Sequence, residues 1–126
     1  MNFEEINILG NILNDTWGNS NENSGAAFKV VGKITGKNQM TITCFCVVNL
    51  LNREEMQREV DKSYDQLNKA CNEYLKQVKK DFSKVGGRAL KTKDLGSTPS
   101  AELINMSGYS QKGTALVRCV YKFEIK

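Results

Sequence analysis

Met56, Val60, Tyr64, Leu67, Cys71, Tyr74, Leu75, Val78 and Phe82 recur at three- and four-residue spacing, and at ~100° per residue they project onto an arc about 100° wide. The stripe predicts one helix from Arg53 to about Lys84. At ~1.5 Å per residue such a helix runs ~45 Å, so it needs an apolar surface of matching length. It is expected either to lie across a whole sheet or to project beyond it into a partner.

The segments on either side change period. From Ala27 to Leu51 apolar residues alternate: Phe28, Val30, Gly32 and Ile34 share one face of a first strand, and Met40, Ile42, Cys44, Cys46, Val48 and Leu50 one face of a second. A three-residue loop at Gly36-Lys37-Asn38 pairs Ile34 with Met40 and Val30 with Cys44, and keeps both apolar faces in register. A two-residue loop would oppose them. Gly32 leaves a gap on the apolar face, which predicts close approach by another element. At the C-terminus Ala115, Val117, Cys119, Tyr121, Phe123 and Ile125 alternate with more polar neighbours, a further strand. Its partner is expected at Ala101 to Tyr109, joined through Ser110-Gln111-Lys112-Gly113. A short helix started by Thr98-Pro99 and ended by Gly108 competes with that reading, and residues 86–97 are read as a short edge strand or an excursion. A first helix is expected from Asn2 to Trp17, carried by Phe3, Ile6, Leu9, Ile12, Leu13 and Trp17, followed by a polar loop over residues 18–25. The fold class that results is α+β: a two-layer domain spanning residues 1–126, in which an antiparallel sheet of about four strands packs against one long helix, in the order α-β-β-α-β-β.

Composition narrows function by exclusion. With 126 residues, 40% of them apolar and 25% charged, the chain suits a single globular domain. No run approaches the ~18 consecutive apolar residues of a membrane span, and the acidic N-terminus lacks the basic region of a secretory signal. The expected location is therefore the cytoplasm, with no membrane partner. Thirteen asparagines, fourteen lysines against four arginines and a single proline suggest an AT-rich coding sequence such as many phages and some bacteria have; for a phage-encoded chain the location would be a host cytoplasm or a virion.

The chain has no histidine, which removes the usual general base and the usual zinc nitrogen ligand. Cys44 and Cys46 on one strand face, joined by Cys71 and Cys119, could be arranged as a four-sulfur zinc site. All four fall at positions the periodicity assigns to the core, however, and the expected reading is buried thiols, with no metal and no cofactor. Gly32 to Asn38 echoes a phosphate loop by letters only, because three residues separate its glycines and its context is a hairpin. Glu54, Glu55, Glu59, Asp61 and Asp65 crowd the start of the long helix, where they complement its dipole. No catalytic residue is assigned.

Two surfaces remain. Between Lys76 and Lys93 there are seven basic residues against one acid. A helix ending at Gly86-Gly87 accounts for most of them, but Arg88, Lys91 and Lys93 lie beyond it; with Lys79, Lys80 and Lys84 they form a candidate patch for phosphates or an anionic partner. On the sheet, Val31, Phe45, Val47, Leu116 and Val120 lie on the face away from the long helix, a candidate interface. It is expected to be covered by the N-terminal helix through Phe3, Ile6, Leu9 and Ile12, or else by another subunit. The sequence thus favours a non-enzymatic protein acting through protein contacts, a homo-oligomer or small assembly component. The alternative is a nucleic-acid-binding accessory protein using the basic tract.

Overall fold

The computed structural model describes residues 1–15, 28–50, 56–106 and 113–126. Trp17, the 18–25 loop, the expected helix start at Arg53, the Gly108 stop and the connection 110–112 lie outside the described residues. The elements are α1 (Phe3–Asp15), β1 (Phe28–Gly36), β2 (Gln39–Leu50), α2 (Met56–Gly86), β3 (Thr92–Met106) and β4 (Gly113–Ile125). All strand pairs are antiparallel, in one sheet of order β1-β2-β4-β3. This is the expected α+β architecture and element order.

The first hairpin has the expected register, Ile34 opposite Met40 and Val30 opposite Cys44. The turn proper is Lys37-Asn38, with Asn38 at φ 62°, a left-handed position that asparagine tolerates. Thr35 is the extra residue between the pairs Ile34–Met40 and Gly36–Gln39. This irregularity restores the phase that a two-residue turn alone would break.

α2 carries the predicted stripe. Val60, Leu67, Cys71, Tyr74, Val78 and Phe82 are all buried, and Tyr64 and Leu75 pack half-buried at its margins. Its course follows from its partners: Ser63 meets Cys46, Cys71 meets Cys44, Tyr74 meets Gly32, and Arg88 just beyond the helix reaches the Lys126 carbonyl. The helix therefore runs obliquely along β2 and β4 with its stripe covered from Val60 to Phe82 and does not project past the sheet. It stops where expected, at Gly86, with Gly87 at φ 73°.

Two expectations are corrected. β3 is one 15-residue strand paired with β4 from Thr92 to Met106, longer and earlier than the expected Ala101 start, and the short-helix alternative over 98–107 fails. Pro99 is tolerated because β3 is an edge strand, where a missing N–H can face outward. At Gly96 (φ 110°) the Asp94 carboxylate accepts the Gly96 N–H at 2.7 Å and shapes a bulge.

The second correction concerns α1. Its stripe does not cover the far side of the sheet; α1 joins the helical layer, against α2 and β1. Leu9, Ile12 and Leu13 are buried there, whereas Phe3 is 79% exposed. The physical cause is the gap at Gly32. A Cβ at that position would lie 2.6 Å from the Tyr74 hydroxyl and 2.8 Å from Leu13 Cδ2, so the missing side chain is the space both occupy. The Tyr74 hydroxyl donates to the Leu13 carbonyl at 3.0 Å, and burial pushes its pKa up to about 12. At the other end of α1, Asn2 and Glu5 cap each other reciprocally, and Arg88 pairs with Glu5.

Candidate interface on the outer sheet face

With both helices on one side, no described element lies over the other side of the sheet. Register defines what that side carries. Lys29 pairs with Phe45, Val31 with Thr43 and Lys33 with Thr41; Thr43 pairs with Val120, Phe45 with Arg118 and Val47 with Leu116. Paired residues in a sheet share a face, so the five candidate interface residues, Val31, Phe45, Val47, Leu116 and Val120, form one apolar area across β1, β2 and β4. Val47 is 50% exposed; the other four are half-buried by their neighbours. Arg118 stands among them, opposite Phe45 and between Leu116 and Val120 on β4, and Lys29, Lys33, Lys93 and Lys122 stand around them, with Glu102 and Glu124 among the described acids on the same face. The alternation of β1, β2 and β4 was enough to place these residues together. What it could not supply was the destination of α1, on which their exposure depends.

The basic-tract residues are dispersed rather than gathered. Lys80 and Lys84 are exposed on α2 and Lys79 is half-buried there, on the helical side of the sheet. Lys93 pairs with Glu124 and belongs to the outer face. Lys91 is exposed, and its carbonyl accepts the Lys126 N–H at 2.8 Å. Arg88 is committed inward: besides Glu5 it reaches the Ala89 and Lys126 carbonyls, and its guanidinium sits 5.5 Å from the Phe82 ring. That arginine is a tie between α1 and the end of α2, a role with no local sequence signal because 83 residues separate the pair.

The four cysteines are free and buried. Cys44 and Cys119 are opposite each other in the register. The hydrogen bond with Cys44, and then burial, raise the Cys71 thiol above its ordinary value. Burial raises Cys46 against the opposing Ser63 hydrogen bond, and burial likewise raises the Tyr121 hydroxyl, helped by Cys119. Raised thiols are protonated at neutral pH and poor nucleophiles. Among the described residues no group of three or more His, Cys, Asp or Glu side chains is arranged to hold a metal ion, and no helix is long and apolar enough to cross a membrane.

Two open grooves flank the core. One, about 390 Å³, runs between α1 and β1 past Asn7, Asn11, Asn14 and Lys33; the other, about 260 Å³, lies between Tyr64 and Asn68 of α2 and Ser97 and Pro99 of β3. The second is also lined by Asp65, Cys119 and Tyr121; with no histidine in the chain, neither groove holds the usual general base. Comparison with known protein families and with curated proteins finds no match for this chain.

Proposed function

We propose that this chain acts through protein contacts rather than catalysis, and that it self-associates through the outer face of its sheet, as an assembly or accessory component. The single observation that carries this reading is that α1 lies in the helical layer, which leaves Val31, Phe45, Val47, Leu116 and Val120 without cover from any described element. A sheet face that meets only water alternates more cleanly, and apolar residues interleaved with arginine, as Arg118 is here, are common in protein interfaces. The β3 edge is a weaker rival: Pro99, bulges at Leu95 and Ile104, and the charges of Lys93, Asp94 and Glu102 blunt it. Buried free thiols suit a reducing intracellular compartment, and the lysine- and asparagine-rich composition suits a phage-encoded chain.

Sedimentation velocity across the micromolar range tests the reading. The wild type is expected as a dimer or larger, and Val47→Asp, which places a charge on the most exposed of the five apolar residues, is expected as a monomer with an unchanged circular dichroism spectrum. A wild-type monomer throughout that range would remove the proposal. The alternative role in nucleic-acid binding through residues 76–93 is weakened by the division of that tract between two sides of the sheet and by the engagement of Arg88. Anisotropy titration at two salt concentrations separates it, since phosphate contacts would appear as a steep salt dependence.

A further inference from the structure

The solvent side of α1 is built from residues that suit a helix in water poorly. α1 has no lysine, although the chain has fourteen, and it carries no charge from Ile6 to Asn14. Asn7, Asn11 and Asn14 are exposed, and with Gly10 they project onto an arc about 100° wide. Glycine is the poorest helix former after proline, and asparagine ranks low. Packing does not require the glycine, because a Cβ at Gly10 would meet nothing within 4 Å. Composition does not account for the face either, since α2 fills its exposed side with Lys62, Lys69, Lys76, Lys80 and Lys84. What the four α1 residues share is the groove of about 390 Å³ between α1 and β1, which all of them line. We infer that this groove binds a short, extended, uncharged stretch of a partner protein by its main chain. The inference goes beyond the self-association proposed above and does not depend on it.

Both walls of the groove offer what a peptide group pairs with. On α1, each carboxamide presents donors and an acceptor in one plane and no charge. The opposite wall is β1, an edge strand of the sheet, and main-chain bonds to an exposed edge are a general way of holding extended peptides. The Gly32 N–H bonds to the Tyr74 hydroxyl, not to β2. Main-chain groups along an antiparallel strand alternate in direction, so the N–H and C=O of Ile34, which also lines the groove, point away from β2 as well. Among the described residues no backbone bond outside the strand ladders engages them. Lys33 is the one charged residue on the lining, and the register assigns its side chain to the outer face with Thr41. An ionic ligand therefore finds no counter-charge inside. From Asn7 to Asn14 the helix rises ~10 Å, the length of about three residues of an extended chain. Gly10, between them, leaves the space that one ligand side chain can fill.

The probe is a phage-displayed library of random heptapeptides, panned on the folded wild type. Enriched sequences are expected to be poor in charge at their centre. Made as free peptides, they should bind Gly10→Leu about tenfold or more weakly than the wild type, the effect of losing one or two hydrogen-bonded contacts. The leucine projects into open groove and favours the helix, so Gly10→Leu should melt no lower than the wild type. The double variant Asn7→Ala, Asn14→Ala, also helix-favouring, repeats the comparison should Gly10→Leu fold poorly. Amide exchange read by NMR then locates the contact: the Ile34 N–H is expected to slow about tenfold or more in the complex, whereas the Lys33 N–H, already bonded to β2, stays as it was. A library that yields no binder, peptides that bind both variants as tightly as the wild type, or an Ile34 amide unaffected by the bound peptide overturns the site. Each of these outcomes leaves the sedimentation of the wild type, and with it the self-association, unchanged.

Discussion

At Gly32 a single missing side chain settles how the helical layer is arranged. The site holds the Tyr74 hydroxyl and Leu13 Cδ2 where a Cβ would stand, and a methyl group there must displace one of them. Gly32→Ala is expected to destabilise the protein by about 1–3 kcal/mol, the usual cost of overpacking. Tyr74→Phe gives up the bond to the Leu13 carbonyl, for about 1 kcal/mol, but clears the nearer obstacle. In a double-mutant cycle by urea denaturation, Gly32→Ala should therefore cost less in the Tyr74→Phe background; strict additivity would show that the hydroxyl is not what the methyl meets. The same burial governs the thiols. Cys46 and Cys71, raised by burial and by the Cys44 hydrogen bond respectively, should react with a disulfide reagent at pH 8 only as fast as the chain unfolds. Rapid labelling of either in the folded protein would contradict the core placement.

Among the elements, α1 owes its orientation to two contacts remote in sequence, the packing of Leu13 into the Gly32 gap and the Glu5–Arg88 pair. Arg88, and secondarily the Asn2 backbone N–H, hold the Glu5 carboxyl below its ordinary value of 4.5. A depressed carboxyl contributes stability that is fully present above the unfolded pKa and is lost as pH falls through the folded one. The gap in urea midpoint between wild type and Glu5→Gln should accordingly be widest at neutral pH, begin to narrow near pH 4.5 and close below it; a gap independent of pH would mean the pair contributes nothing to folding. What the sequence made legible follows from burial on one face only. β1, β2 and β4 alternate because one side of each meets α2, and the stripe of α2 is regular because the sheet covers it from Val60 to Phe82. β3 offered no such period: residues 93–102 are exposed on both faces, so nothing selects apolar residues at alternate positions, and Pro99 read as a break although an edge tolerates it. The stripe of α1 was visible, but either side of the sheet could have received it.

For the whole molecule, that choice decides the chemistry. With α1 beside α2, the basic tract splits, Lys80 and Lys84 staying on the helical side and Lys93 on the outer face, while no described element lies over the apolar residues of the outer face. If two copies bury that face against each other, folding and association become one equilibrium, and mass action makes stability depend on chain concentration. Each tenfold increase adds about 1.4 kcal/mol per dimer, roughly half of it to each chain. For a chain of 126 residues, whose unfolding entropy is of order 2 cal/mol/K per residue, that corresponds to a rise of about 2–3 °C in Tm. Differential scanning calorimetry from micromolar to hundreds of micromolar should show that drift in the wild type, and a Tm independent of concentration in Val47→Asp. A wild-type Tm equally flat over that range would mean that the apolar face is not buried against a second copy, whatever its register pattern allows.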